Sequence, residues 1–183
     1  MLIHGESFDY IGSTRILDDM LRSSFPFNNS DEKIIKKYSN ELQPKFSLNS
    51  IHSIIEIDQV ASVDSPDIYV HTKNNPEAML KSLQGNSQGL NVNHVEKSLP
   101  PSSSVTFSSK LEKIPTLVIG NYRAQYSNKM FHSIYDTAER AGFNYSNPSD
   151  VSRRLVRHLG QVSSMVSSAI LQTVTGGQIG QGF

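Results

Sequence analysis

The sequence predicts an α+β fold, with a small, mainly antiparallel sheet from the central region packed by N-terminal helices and a long C-terminal helix. Three observations lead to it. Apolar residues recur at helical spacing near both ends of the chain, and β-branched residues with turn punctuation fill the middle. A Pro-free run then covers residues 151–173. The 183 residues suit one domain over 1–175, followed by a flexible Gly/Gln tail over 176–183.

Near the start, Ile16, Leu17, Met20 and Leu21 share one helical face, with Thr14 as the expected cap. A second short helix is expected from Ser30, where Asp31 and Glu32 favour the positive end of the helix dipole and Ile34, Ile35, Tyr38 and Leu42 form its apolar stripe. Ile51 to Ile57 and Ile68 to Thr72 read as strands joined through the turn residues Asp64-Ser65-Pro66-Asp67. Asn75-Pro76 then opens a helix running to about Leu83, because proline is tolerated at the first helical position. Residues 85–104 show no period and carry Gly, Pro and Ser, so they are expected as a long exposed loop. Strand texture returns at Val105 to Phe107 and Ile114 to Ile119. A helix is expected over Asn128 to Ala141, with Phe131, Ile134, Tyr135 and Ala138 inward and Gly142 as its stop.

The last helix carries the most information. Leu155, Val162 and Ala169 recur every seven positions, as do Leu159 and Val166, which makes a heptad-like seam. Ser163, Ser164, Ser167 and Ser168 add small side chains on adjoining rows. Arg153, Arg154 and Arg157 crowd the first two turns, where cations oppose the dipole, and no ionisable residue follows His158. The seam and the three arginines are candidate interaction residues. So are Ile179 and Phe183, two apolar residues of a tail too rich in glycine to form an element alone.

Composition removes several classes of function. Seventeen basic residues balance seventeen acidic ones, so a role in gripping phosphate backbone is not expected. The absence of Cys excludes disulfides, thiolate metal sites and cysteine nucleophiles. The six histidines show no HxH or HExxH spacing, no Walker lysine is present, and no cofactor is expected. Gly85-Asn86-Ser87-Gln88-Gly89 matches the G-x-S-x-G pattern, but an elbow nucleophile needs a strand before it and a helix after it, and a helix precedes this one. Tyr122 and Tyr126 flank Arg123 and could stack on bases, although pairing inside the fold is the commoner outcome. The sequons Asn28-Asn29-Ser30 and Asn144-Tyr145-Ser146 read as accidents of an Asn- and Ser-rich chain.

These features point to a non-enzymatic structural protein that self-associates, such as a small viral or phage particle component. Its partner would be a second copy or another particle protein. The alternative is a secreted bacterial effector that binds a host protein, and a hydrolase is third. With no Sec-type signal and no apolar run of membrane length, the expected location is a virion or host cytoplasm.

Overall fold

Four strands, β1 (Ile54–Ile57), β2 (Ile68–Lys73), β3 (Val92–Val95) and β4 (Thr116–Gly120), form one sheet in the order β1-β4-β2-β3. The computed structural model describes residues 10–21, 48–62, 66–96, 98–131, 133–144, 146 and 149–176. Within them lie helices α1 (Ile11–Leu21), α2 (Glu77–Gly85), α3 (Ser103–Lys110) and α4 (Asp150–Val174). The α+β class holds, and the sheet is mixed. β1 pairs with β4 and β2 with β3 in parallel, while only the central β2/β4 pair is antiparallel. A chain that returns through α2 can lay β3 parallel to β2, which a hairpin cannot do.

β4 is buried at all five positions, as its unbroken apolar run Leu117-Val118-Ile119 requires of a strand covered on both faces. Residue alternation sends Ile68, Val70, Leu117 and Ile119 to one face. There they meet Met79, Leu80 and Leu83 of α2 and Val162, Met165, Val166 and Ala169 of α4. The opposite face carries Glu56, Val118 and His71, which are neighbours in register. α3 covers this face over β1 and β4, and α1 packs on α3 through Leu17 and Met20.

Three sequence expectations are corrected. Val105 to Phe107 belong to α3 and not to a strand, because the chain elsewhere supplies that helix with its cap. The Glu56 carboxylate accepts bonds from the Ser103 hydroxyl (2.9 Å), the Ser103 N–H (3.3 Å) and the Ser104 N–H (2.8 Å). A carboxylate at the positive end of the helix outweighs the modest strand preference of Val105 and Thr106. Second, residues 85–104 are not one loop, since they hold β3 and the start of α3. β3 escapes a sequence pattern because it is four residues long and places Val92 and Val95 on opposite faces.

Third, the described residues of 128–141 form turns and bends and not a helix. Side chains there take backbone donors that a helix would need: Asn128 Oδ1 accepts from Met130 N, Ser133 Oγ from Tyr135 N and Thr137 Oγ1 from Arg140 N. Of its expected inner stripe, Ile134 (87%), Tyr135 and Ala138 are exposed, while Phe131 packs against Tyr126. Gly142 therefore stops no helix; its φ of +90° is left-handed, and a Cβ there would come within 2.6 Å of Val151. The expected helix from Ser30 lies outside the described residues.

Candidate functional site

A cleft of about 940 Å³ opens between the β3–α3 connection and the segment that follows β4. Its walls include His71, Leu99, Pro100, Pro101, Tyr122 and Tyr126. The wall after β4 is built by tight clamping. Asn121, 1% exposed, donates to Asp67 O (3.0 Å) and accepts from Ser62 N (3.1 Å). Tyr122 then folds back over the sheet, so close that a Cβ on Gly120 would lie 2.7 Å from its ring. That approach is why glycine ends β4.

Two residues directly after β1 secure the far end of this wall. The Tyr122 hydroxyl donates to the Asp58 carboxylate in a short hydrogen bond. Gln59, 5% exposed, accepts from Asn128 N (2.8 Å) and from the Ser127 hydroxyl, and donates to Asn128 O (3.2 Å). Tyr126 reaches across to donate to Pro101 O at 3.0 Å, which ties the two walls together. The rings of His71, Tyr122, Tyr126 and Phe131 make a ladder with successive centroid separations of 5.3, 4.8 and 5.0 Å, the Tyr122–Tyr126 pair being edge-to-face.

The electrostatics favour neutral groups. His71 Nε2 lies 3.0 Å from Tyr122 O, and only an N–H can bond a carbonyl, so the ring carries its proton there. Burial pushes the His71 pKa below the ordinary histidine range, partly offset by that bond. Burial, then the Asp58 carboxylate, raises the Tyr122 hydroxyl well above the usual phenol range, and Tyr126 is raised by burial first and by Asp58 next. The aromatic residues of the cleft thus present neutral surfaces whose polar atoms are spent on holding its walls, while Glu96 and Arg123 add charged groups to its lining. Among the described residues no group of three His, Asp or Glu side chains could hold a metal ion. Ser87 lies in the turn after α2, its carbonyl accepting from Leu90 N, and His94 Nε2 is bonded to Thr72 Oγ1 at 2.7 Å.

The sequence-derived interaction residues are distributed differently from expectation. Leu155, Val162, Val166 and Ala169 are at most 5% exposed, and Leu159 is half-buried. The last three face the chain's own sheet, so the heptad-like seam is the inner stripe of α4 and is not free for a second copy. Arg153, Arg154 and Arg157 are exposed, and Arg153 is paired with Asp150 at 2.5 Å. Ile179 and Phe183 lie outside the described residues. Tyr122 and Tyr126 pair within the fold. Asp58, Gln59 and Asn121 carried no sequence signal, since an isolated polar residue beside a strand announces nothing about the partner it will clamp.

The family model described as the nicastrin large lobe matches residues 1–172. This chain belongs to the nicastrin family. Nicastrin of Mus musculus is 30% identical over 160 residues, covering 79% of this chain and 20% of that protein. The Homo sapiens protein is 29% identical with the same coverage. The chain therefore spans about a fifth of the length of these relatives. A solved structure described as the crystal structure of the gamma-secretase component nicastrin superposes with a TM-score of 0.59 at 20% identity. It covers 98% of this chain and 32% of that one, and it shows the fold.

Membership of the nicastrin family overturns the particle-protein expectation together with the effector and hydrolase alternatives. The expected location in a virion or host cytoplasm falls with them, since the relatives are nicastrins of cellular organisms and the solved one is described as a gamma-secretase component. Composition misled because a neutral, Ser-rich surface is shared by many unrelated classes. No helix among the described residues is long and apolar enough to cross a membrane.

Proposed function

We propose that this chain is a non-catalytic, protein-docking part of a nicastrin-type large lobe, working within a gamma-secretase-like complex. In this reading residues 1–175 act as one domain, with 176–183 as its tail. The cleft walled by Tyr122, Tyr126, Pro100 and Pro101 carries the proposal. Its hydroxyls are engaged by Asp58 and by the Pro101 carbonyl, and the His71 Nε2 proton is given to a backbone carbonyl. Such a site offers apolar and aromatic contact area, the composition that dominates protein interfaces, and no activated nucleophile. The relative described as a gamma-secretase component supports an assembly role.

The test is reconstitution. The full chain, tagged, is added to detergent-solubilised membranes that contain gamma-secretase, and the retained proteins are identified by mass spectrometry. Known subunits of that complex should be retained by the native chain and lost with Tyr126→Ala. Retention unaffected by Tyr126→Ala would remove the cleft from the docking role. Turnover of peptides by the purified chain would overturn the non-catalytic part.

A further inference from the structure

A second concave surface shares no residue with the aromatic cleft and goes beyond the docking role proposed for it. It is a notch of about 370 Å³ between the first turns of α4 and residues 62, 66, 67 and 89–91. Arg154, Arg157 and Gln161 line one side, with Asp67 and Asn91 opposite. Most polar groups here are already committed. Gln161 Nε2 donates to Gln88 O (2.7 Å), Asn91 Nδ2 to Asp67 Oδ1 (3.0 Å) and His158 Nε2 to Val60 O (3.0 Å). Burial keeps His158 below the ordinary histidine range, so it adds no charge near neutrality.

The two guanidinium groups are the exception. Among the described residues neither Arg154 nor Arg157 has a carboxylate within ion-pair distance, whereas Arg153, next in the chain, is paired with Asp150. Both sit in the first turns of a 25-residue helix, where the dipole adds to their positive potential. Among the described residues the one acidic side chain lining the notch, Asp67, already accepts from Asn91. Two unneutralised forks beside a concave surface are a recognition element for carboxylates.

We propose that Arg154 and Arg157 form a docking notch for an acidic, extended segment of a partner polypeptide. Their spacing supports a polypeptide over a single small anion. Residues three apart on a helix have Cβ atoms about 5–6 Å apart. Alternate side chains of an extended peptide repeat every 6.6 Å or so along one face. Two acidic residues separated by one other would therefore each meet one guanidinium. Asp67 at the far rim limits the length of the acidic run and disfavours a third carboxylate there.

The experiment is fluorescence anisotropy with the full chain and a labelled Gly-Glu-Gly-Glu-Gly peptide at an ionic strength of about 0.15 M. A Gly-Gln-Gly-Gln-Gly peptide is the control. The acidic peptide should bind and the control should not. The double variant Arg154→Gln/Arg157→Gln should weaken binding by at least about tenfold, or about 1.4 kcal/mol. Arg153→Gln should leave it within about twofold, since that guanidinium is already paired. The substituted side chains are exposed, and an unchanged melting temperature checks that folding is intact. Equal loss in Arg153→Gln, or none in the double variant, would overturn the notch. So would an absence of peptide binding at about 1 mM. Displacement by inorganic phosphate at a concentration equal to the peptide would overturn the polypeptide ligand in favour of a free anion.

Discussion

Replacing Met165 by Ala distinguishes an α4 that packs on its own domain from one that holds copies together. Met165 is fully buried and belongs to the cluster formed by β2, β4, α2 and α4. Truncating such a side chain removes its transfer energy and leaves a cavity, a loss of about 2–5 kcal/mol. At a central loss of about 3 kcal/mol, and about 2–4 °C per kcal/mol for a chain of this length, the melting temperature should fall by about 6–12 °C. Val174 supplies the contrast: it is 78% exposed on the same helix, and Val174→Ala should change stability by less than about 0.5 kcal/mol. Urea unfolding gives the free energies, and light scattering across protein concentration gives the mass. The inner-stripe reading requires a large drop in unfolding midpoint with no change in mass. A stability change under about 0.5 kcal/mol in Met165→Ala, accompanied by loss of an oligomer, would refute it.

Gly120→Ala should cost about 1–3 kcal/mol, because the new methyl group meets the Tyr122 ring and must displace it, and tyrosine fluorescence should change with the melting temperature. Asn121→Ala leaves the Ser62 N–H and the Asp67 carbonyl without their partner and should cost about 1–3 kcal/mol in urea unfolding. Stability should fall on mild acidification. Burial lowers the native pKa values of His71 and His158, so the unfolded chain takes up protons first, near its ordinary value of about 6.5. Their contribution is whole above that value, declines as pH falls toward the lowered native values, and is flat below them. Melting curves between about pH 7.5 and 5 measure this. A melting temperature that rises on acidification across that window would contradict the burial argument.

How far the sequence reached depended on whether an element's determinants are local. α4 was legible because residues 151–173 make a long Pro-free periodic run, which the structure caps with the Ser149 hydroxyl accepting from Ser152 N. α2 and β2 were legible from Asn75-Pro76 and from the β-branched texture before them. α3 was not, since the carboxylate that caps it stands 47 residues upstream. The helix expected at 128–141 failed for the converse reason: its periodicity was real, but Ile134, Tyr135 and Ala138 of its stripe stay exposed, and local side chains take the backbone donors. The direction of the α4 seam was also beyond a pattern. The helix has an inner stripe through Val162, Val166 and Ala169 and exposed apolar residues at Val156, Ile170, Leu171 and Val174. Spacing alone does not say which set meets the sheet.

The aromatic cleft shows why a mixed topology matters to the site. β1 and β4 run parallel, with Ile57 opposite Ile119, so the chain leaves both strands at the same end of the sheet. That brings Asp58 and Gln59 beside the segment starting at Asn121, and Gln59 O accepts from Asn121 N at 2.6 Å. Had this pair been antiparallel, as a mainly antiparallel sheet would favour, the end of β1 would lie beside the start of β4. Tyr122 would then have lost Asp58, and residues 127–128 would have lost Gln59. The polar residues that hold the cleft open lie about 60 to 70 positions apart in the chain and depend on strand direction to meet. Single substitutions at Asp58 or Gln59 should therefore disturb the post-β4 wall while sparing the α2/α4 core, because that core lies on the other face of the sheet.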